Sequence, residues 1–171
     1  MNRSLINNEL TVCYEDGFHT VSAGELNSMF RDTNPDRWGI WDKERHIIIA
    51  VFFHTFGGLP AKLFGDPQAI AKNNESVLKK TYRNSDYQFN GYYETEIAGH
   101  RAYGFEYEYS VGDVRQSGRM DVIMHERICY TFYCFARKEM KDESFAVYDR
   151  FLQSASCQSP GIEMPGLRSA P

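Results

Sequence analysis

From Arg101 to Val111 the chain alternates strictly, with Tyr103, Phe105, Tyr107 and Tyr109 at odd positions and Ala102, Gly104, Glu106, Glu108 and Ser110 at even ones. A period of two predicts a strand with one aromatic face and one acidic or small face. In the stretch before it, Phe89, Tyr93 and Ile97 alternate with Tyr92, Glu94 and Glu96. A three-residue loop, Ala98 to His100, would keep apolar against apolar, and a slip of one residue would mix the faces. Past Val111, a two-residue Gly112-Asp113 turn sets Phe105 beside Met120, Tyr103 beside Val122 and Glu106 beside Arg119. Continuing through His125 to Arg127, the pattern assigns Ile128, Tyr130, Phe132 and Cys134 to the aromatic face. It assigns Cys129, Thr131, Tyr133, Phe135 and Arg137 to the polar one.

Elsewhere the period changes. "ELTVCYEDGFHTVS" reads as two short strands around Glu15-Asp16-Gly17. Ser22 and Glu25 form a capping box that opens a helix through Met29 and Phe30. "RWGIWDKERHIIIAVFFHT" gives a short strand, a turn at Asp42 to Glu44 and a strand from His46 to His54. Its run "IIIAVFF" does not alternate and so predicts cover on both faces. "GGLPAKLFGDPQ" reads as a loop with at most one helical turn. Asp66 as N-cap and Pro67 at the first helical position then begin a helix with Ile70, Asn74, Val77, Leu78 and Thr81 on one face. A last helix from Asp142 turns Phe145, Tyr148, Phe151 and Leu152 inward. The tail "CQSPGIEMPGLRSAP" has no period. The expected organisation is one domain over residues 1–156 and a loose tail over 157–171. The fold class is α+β: an antiparallel sheet of about six strands with helices on its faces, an α/β/α sandwich.

Composition narrows the function. A chain of 171 residues can bury a real core in one domain. The net charge of −4 comes with dispersed Lys and Arg, so no basic stripe tracks a phosphate backbone and nucleic acid is not expected. "MNRSLINNEL" has no apolar h-region, and no apolar run approaches the roughly 18 residues of a membrane span. The expected compartment is the cytoplasm, where four irregularly spaced cysteines would be reduced thiols.

Candidate chemistry is sparse. Cys129 and Cys134 are separated by an odd number of positions on one strand, so they project to opposite faces and cannot share a metal ion or a bridge. The five histidines show neither HxH nor HExxH spacing. His46 and His54 share a strand side but stand roughly 26 Å apart by strand rise. No metal site and no cofactor are expected. Glu106 and Glu108 share a face at about the 6–7 Å repeat of a strand, a spacing compatible with a carboxylate pair, although Arg119 beside them suits an ordinary charged surface. Gly-rich phosphate loops are absent. The aromatic share is 15%, and Trp38, Trp41, Tyr92 and Tyr133 fall on the expected polar face or near a loop, where rings with polar tips anchor partners.

The order of elements, with "IAGHRAYGFEYEYS", "ICYTFYCFARKE" and a closing "YDRFLQSAS", resembles the PsbP/Mog-type proteins and their DcrB-like bacterial branch over roughly Leu10 to Ser156. The resemblance implies an α/β/α sandwich and non-enzymatic binding, as in photosystem accessory proteins, Ran-binding proteins and bacterial chaperones for apolar segments. It carries no site residue across, and the chain departs from exported members in showing no signal or lipoprotein segment. The expectation is a non-catalytic protein-interaction domain with a protein partner, a homodimer being compatible with it. Its candidate surface residues are Trp38, Trp41, Tyr92, Glu106, Glu108, Arg119 and Tyr133. The alternative is a small-ligand or hydrolytic pocket built on Glu106, Glu108, Arg119 and Tyr133.

Overall fold

The computed structural model describes residues 1–30, 33–57 and 65–158. Ten strands and three helices follow one another as β1 (Asn2–Ile6), β2 (Leu10–Tyr14), β3 (His19–Val21), α1 (Ala23–Phe30), β4 (Arg37–Asp42), β5 (Ile47–Thr55) and α2 (Pro67–Thr81). Then come β6 (Gln88–Ile97), β7 (His100–Val111), β8 (Val114–His125), β9 (Ile128–Arg137), α3 (Lys141–Gln153) and β10 (Ser156–Cys157). A seven-stranded antiparallel sheet runs β3-β4-β5-β9-β8-β7-β6, and a small sheet runs β1-β2-β10. The fold is therefore the expected α+β sandwich, with seven strands in its main sheet and a three-stranded sheet added.

Local chemistry explains the helix starts. Ser22 Oγ accepts from the Glu25 amide at 3.2 Å and the Glu25 carboxylate accepts from the Ser22 amide at 2.9 Å, completing the capping box. Asp66 caps α2 through the Gln68 amide, with Pro67 at the first turn. The inward stripe of α2 differs from the expected one, because Val77 and Thr81 are exposed while Ala71 is buried. Ile70, Leu78 and Tyr82 pack around the aromatic residues of β7. The helix is rotated so that small Ala71, the closest approach, sits on the sheet.

The early hairpin is also different. β2 and β3 form on either side of Glu15-Asp16-Gly17, but β2 pairs with β1 and β3 with β4. Gly17, at φ 99°, turns a corner between sheets, and Phe18 plugs into the core there. β5 follows the expectation. Ile47, Ile49 and Val51 face α3 and the small sheet while Ala50 faces α1, so both faces are covered.

Three turns decide the faces of the sheet. Tyr103 opposite Val122, Phe105 opposite Met120 and Glu106 opposite Arg119 all stand as the Gly112-Asp113 turn requires. At the β6–β7 end the loop has two residues, Ala98 and Gly99, at φ 53° and 76°, and Ile97 pairs with His100. That turn is one residue shorter than expected, and positive φ at both positions matches the right-handed twist of the flanking strands. Tyr92 therefore stands beside Phe105, and Tyr93 beside Gly104. A bulge at Gly91, φ 111°, returns Phe89 to Tyr107. At the β8–β9 end Glu126 and Arg127 likewise make a two-residue turn, so Tyr133 joins Met120 and Cys134 joins Arg119.

No polar sheet face results. Tyr103, Phe105, Tyr107, Tyr109, Met120 and Cys129 pack under α2, while Ile123, Tyr130, Phe132, Cys134 and the α3 residues Phe145, Tyr148 and Phe151 form the other core with Ile6, Leu10 and Val12. Cys129 and Cys134 are buried free thiols on these opposite faces. Ser156 and Cys157, at the junction of the expected domain and tail, pair with Thr11 and Leu10, and the Gln158 amide donates to Glu9 O at 2.8 Å. The remainder of the expected tail, 159–171, and residues 58–64 of the expected loop lie outside the described residues.

Candidate functional site

Trp38 and Trp41 lie three positions apart on β4, so the strand sends them to opposite faces. Trp38 stacks on Phe151 at 6.2 Å and 11° and belongs to the α3 core. Trp41 packs toward α1, with the Lys43 ammonium 5.0 Å from its ring centroid. The two do not form one anchor. Trp41 instead lines a groove of about 270 Å³ with His46, Ile48, Val111, Val114, Gln116 and Arg137. The groove opens at the sheet end that carries the β4–β5 and β7–β8 turns. Val111 is 58% exposed and Val114 39%. Apolar walls with the Arg137 cation among the lining residues suit an apolar side chain with an acidic neighbour.

The other candidate rings are occupied. Tyr92 lies 5.6 Å from Tyr103 and 4.7 Å from Phe89, on the face under α2. Tyr133 packs on Phe52 at 5.0 Å and Phe135 at 5.9 Å. Tyr133 is thus on the opposite face from Glu106, Glu108 and Arg119, and the four do not meet. The reason is the two-residue Glu126-Arg127 turn, which reverses every side chain of β9 relative to the expected face.

The carboxylates are paired with cations. Glu106 meets Lys141 Nζ at 2.8 Å rather than its cross-strand neighbour Arg119. Glu108 accepts from Lys138 Nζ at 2.9 Å and Arg115 Nε at 3.3 Å. Burial opposes the Glu108 charge, and the hydrogen bonds from Lys138 and Arg115 outweigh it, holding the carboxyl below its ordinary value. Such a pair stabilises the fold above the ordinary carboxyl value of 4.5 and is lost as pH falls through the lowered one. Glu108→Gln is expected to lower stability by about 1–2 kcal/mol at pH 7, since Lys138 is partly solvated. The gap between wild type and variant in urea unfolding should close as the pH drops below that value, and a gap that persists at pH 2 would contradict the assignment.

Arg119 donates to Tyr93 Oη at 2.6 Å and Asp149 Oδ1 at 2.6 Å, and stands 3.5 Å from Asp121. Asp121 is fully buried. Burial raises its pKa despite the attraction of Arg119. The guanidinium also sits 5.4 Å from the Tyr148 ring. This cluster ties α3 to the sheet through the Arg119–Asp149 pair.

One cluster was missed by spacing arguments: His100, His125 and Cys157 place ligand-capable atoms within 4.8 Å of one another. The signal was in the register. The pairing that sets Tyr103 opposite Val122, carried to the start of β7, sets His100 opposite His125.

No family model matches the chain, and no curated protein matches it. Solved structures do. The cyanobacterial PsbP (CyanoP) of Synechocystis sp. PCC 6803 superposes with a TM-score of 0.69 at 13% identity, covering 92% of each chain. The fold is that of the PsbP/Mog proteins. The Saccharomyces cerevisiae Ran-binding protein Mog1p superposes at 0.55 with 8% identity, over 91% of this chain and 95% of that one. LpqN of Mycobacterium tuberculosis, described as involved in cell envelope biogenesis, superposes at 0.60 with 13% identity, over 88% and 83%. No helix among the described residues is long and apolar enough to cross a membrane.

Proposed function

We propose that this protein is a non-catalytic protein-interaction domain whose partner docks on the Trp41 groove. The observation that carries this is the exposure of Val111 and Val114 beside Trp41 and Ile48, in a recess that Arg137 also lines. Support at the level of fold comes from Mog1p, a Ran-binding protein. The partner surface is an apolar side chain with acidic neighbours, and a second copy of the chain is one such partner to test. The same reading assigns no catalysis to Glu106 and Glu108, which are engaged by Lys141, Lys138 and Arg115.

A photo-crosslinking residue at Gln116 tests this in the source cell. Wild type should trap a discrete protein. Val111→Glu and Trp41→Ala should each weaken binding of that protein by at least about 1 kcal/mol, roughly fivefold. Val77→Glu, on the exposed side of α2, should leave it unchanged. Equal capture by all variants would defeat the groove. Turnover in a hydrolase screen, abolished by Glu106→Gln or Glu108→Gln, would defeat the non-catalytic reading.

A further inference from the structure

At the opposite end of the main sheet from the Trp41 groove, three potential metal ligands converge from three strands. β7 begins at His100, β8 ends at His125, and β10 brings Cys157 across from the small sheet. His125 Nδ1 and His100 Nε2 are 3.0 Å apart. Cys157 is held in place by pairing with Leu10 and by the Gln158 amide on Glu9 O at 2.8 Å. Each residue contributes one donor atom to a set spanning no more than 4.8 Å.

A bare histidine pair would explain the 3.0 Å contact by one N–H···N hydrogen bond, but it leaves a second fact unexplained. His125 is only 7% exposed, and its Nε2 is fully buried with no hydrogen-bond partner. A core histidine kept for packing satisfies both nitrogens. Here one ring nitrogen is left over on a histidine that shares a cluster with a thiol and a second imidazole.

We propose that His100, His125 and Cys157 form a binding site for a divalent transition-metal ion of the zinc type. Two imidazoles and a thiolate are a donor set such an ion prefers, and hard cations such as Mg²⁺ and Ca²⁺ do not. Bonds of about 2.0–2.3 Å put ligands on tetrahedral zinc about 3.3–3.8 Å apart, so the observed spread closes with a shift of about 1 Å. Cys157 also lines a groove of about 380 Å³ with Glu96, Ala98, Gly99 and Ala155, which gives an ion a way to the thiol. Burial, then the charge of Glu9, pushes the Cys157 thiol up to about 11. Coordination therefore releases the thiol proton to solvent as the S–metal bond forms. The ion would join the three-stranded sheet to the seven-stranded one through a single atom.

The test is titration of the whole chain, purified without chelator and under reductant, with Zn²⁺ against a chromogenic competitor. Co²⁺ serves as the spectroscopic probe. Wild type should bind one equivalent, show a thiolate-to-cobalt charge-transfer band and melt at higher temperature with Zn²⁺. His100→Ala and Cys157→Ser, both at partly exposed positions, should fold by circular dichroism. Each should weaken binding by at least about 100-fold and abolish the thermal shift. His54→Ala, on the exposed end of β5, should bind as wild type does. Absence of stoichiometric binding, a Co²⁺ complex without the thiolate band, or affinity unchanged by Cys157→Ser would overturn the site.

Discussion

Gly104→Ala is expected to lower the stability of the domain by about 3 kcal/mol or more, a large share of the net stability of a typical domain. A methyl group there would stand 2.5 Å from Asp121 Oδ1, 2.6 Å from the Met120 carbonyl oxygen and 2.6 Å from Tyr93 Oη. The Met120 oxygen is backbone of the adjacent strand and cannot swing aside, so the sheet must part where Arg119, Asp121 and Tyr93 bind one another. Gly24 is the contrast. In α1 its added methyl would meet nothing closer than 4.0 Å, so Gly24→Ala should raise stability by up to about 1 kcal/mol. Urea midpoints of the two variants measure both signs in one experiment, and a Gly104→Ala midpoint equal to wild type would mean that the packing around Asp121 is looser than described.

Phe132→Ala should be comparably damaging, at about 3–5 kcal/mol. Phe132 is 0% exposed at the centre of β9, between Val51 and Asp121 on its neighbouring strands, in the core shared with Ile49, Tyr148 and Phe151. Strands on both sides and α3 above fix its surroundings, so the cavity left behind closes poorly. Phe89→Ala removes the same ring from a site 39% exposed near the sheet edge, and a loss under about 1 kcal/mol is expected there. Calorimetry or denaturant unfolding of the pair separates burial from ring chemistry. Similar losses at the two positions would contradict the core assignment of Phe132.

The Trp41 groove was half legible. Trp41 was visible as a candidate from its place near a loop, but its neighbours Val111, Val114 and Ile48 come from other strands, and nothing local links them to it. Tyr92 and Tyr133 were legible as aromatics and assigned to the polar face, whereas both are half-buried against the aromatic cluster under α2, Tyr92 on the edge strand β6 and Tyr133 on the interior strand β9. The His100–His125 juxtaposition followed from the register of the Gly112-Asp113 hairpin, but Cys157 reaches it only through the small sheet, which no spacing along the chain sets.

The sequence by itself determined the elements and the pairings that short-range chemistry controls. The Ser22–Glu25 capping box, the Asp66-Pro67 helix start and the Gly112-Asp113 turn with Glu106 opposite Arg119 depend on residues adjacent in the chain or joined by a tight turn. Tertiary structure alone decided which face each strand turns inward and what meets across the two sheets. The difference between a two- and a three-residue loop at Ala98-Gly99 or at Glu126-Arg127 is small in local energy, yet with a side-chain period of two it reverses the whole strand. The fit of the β9 side chains into the two cores, where each is buried or half-buried, is what selects the shorter turn before that strand.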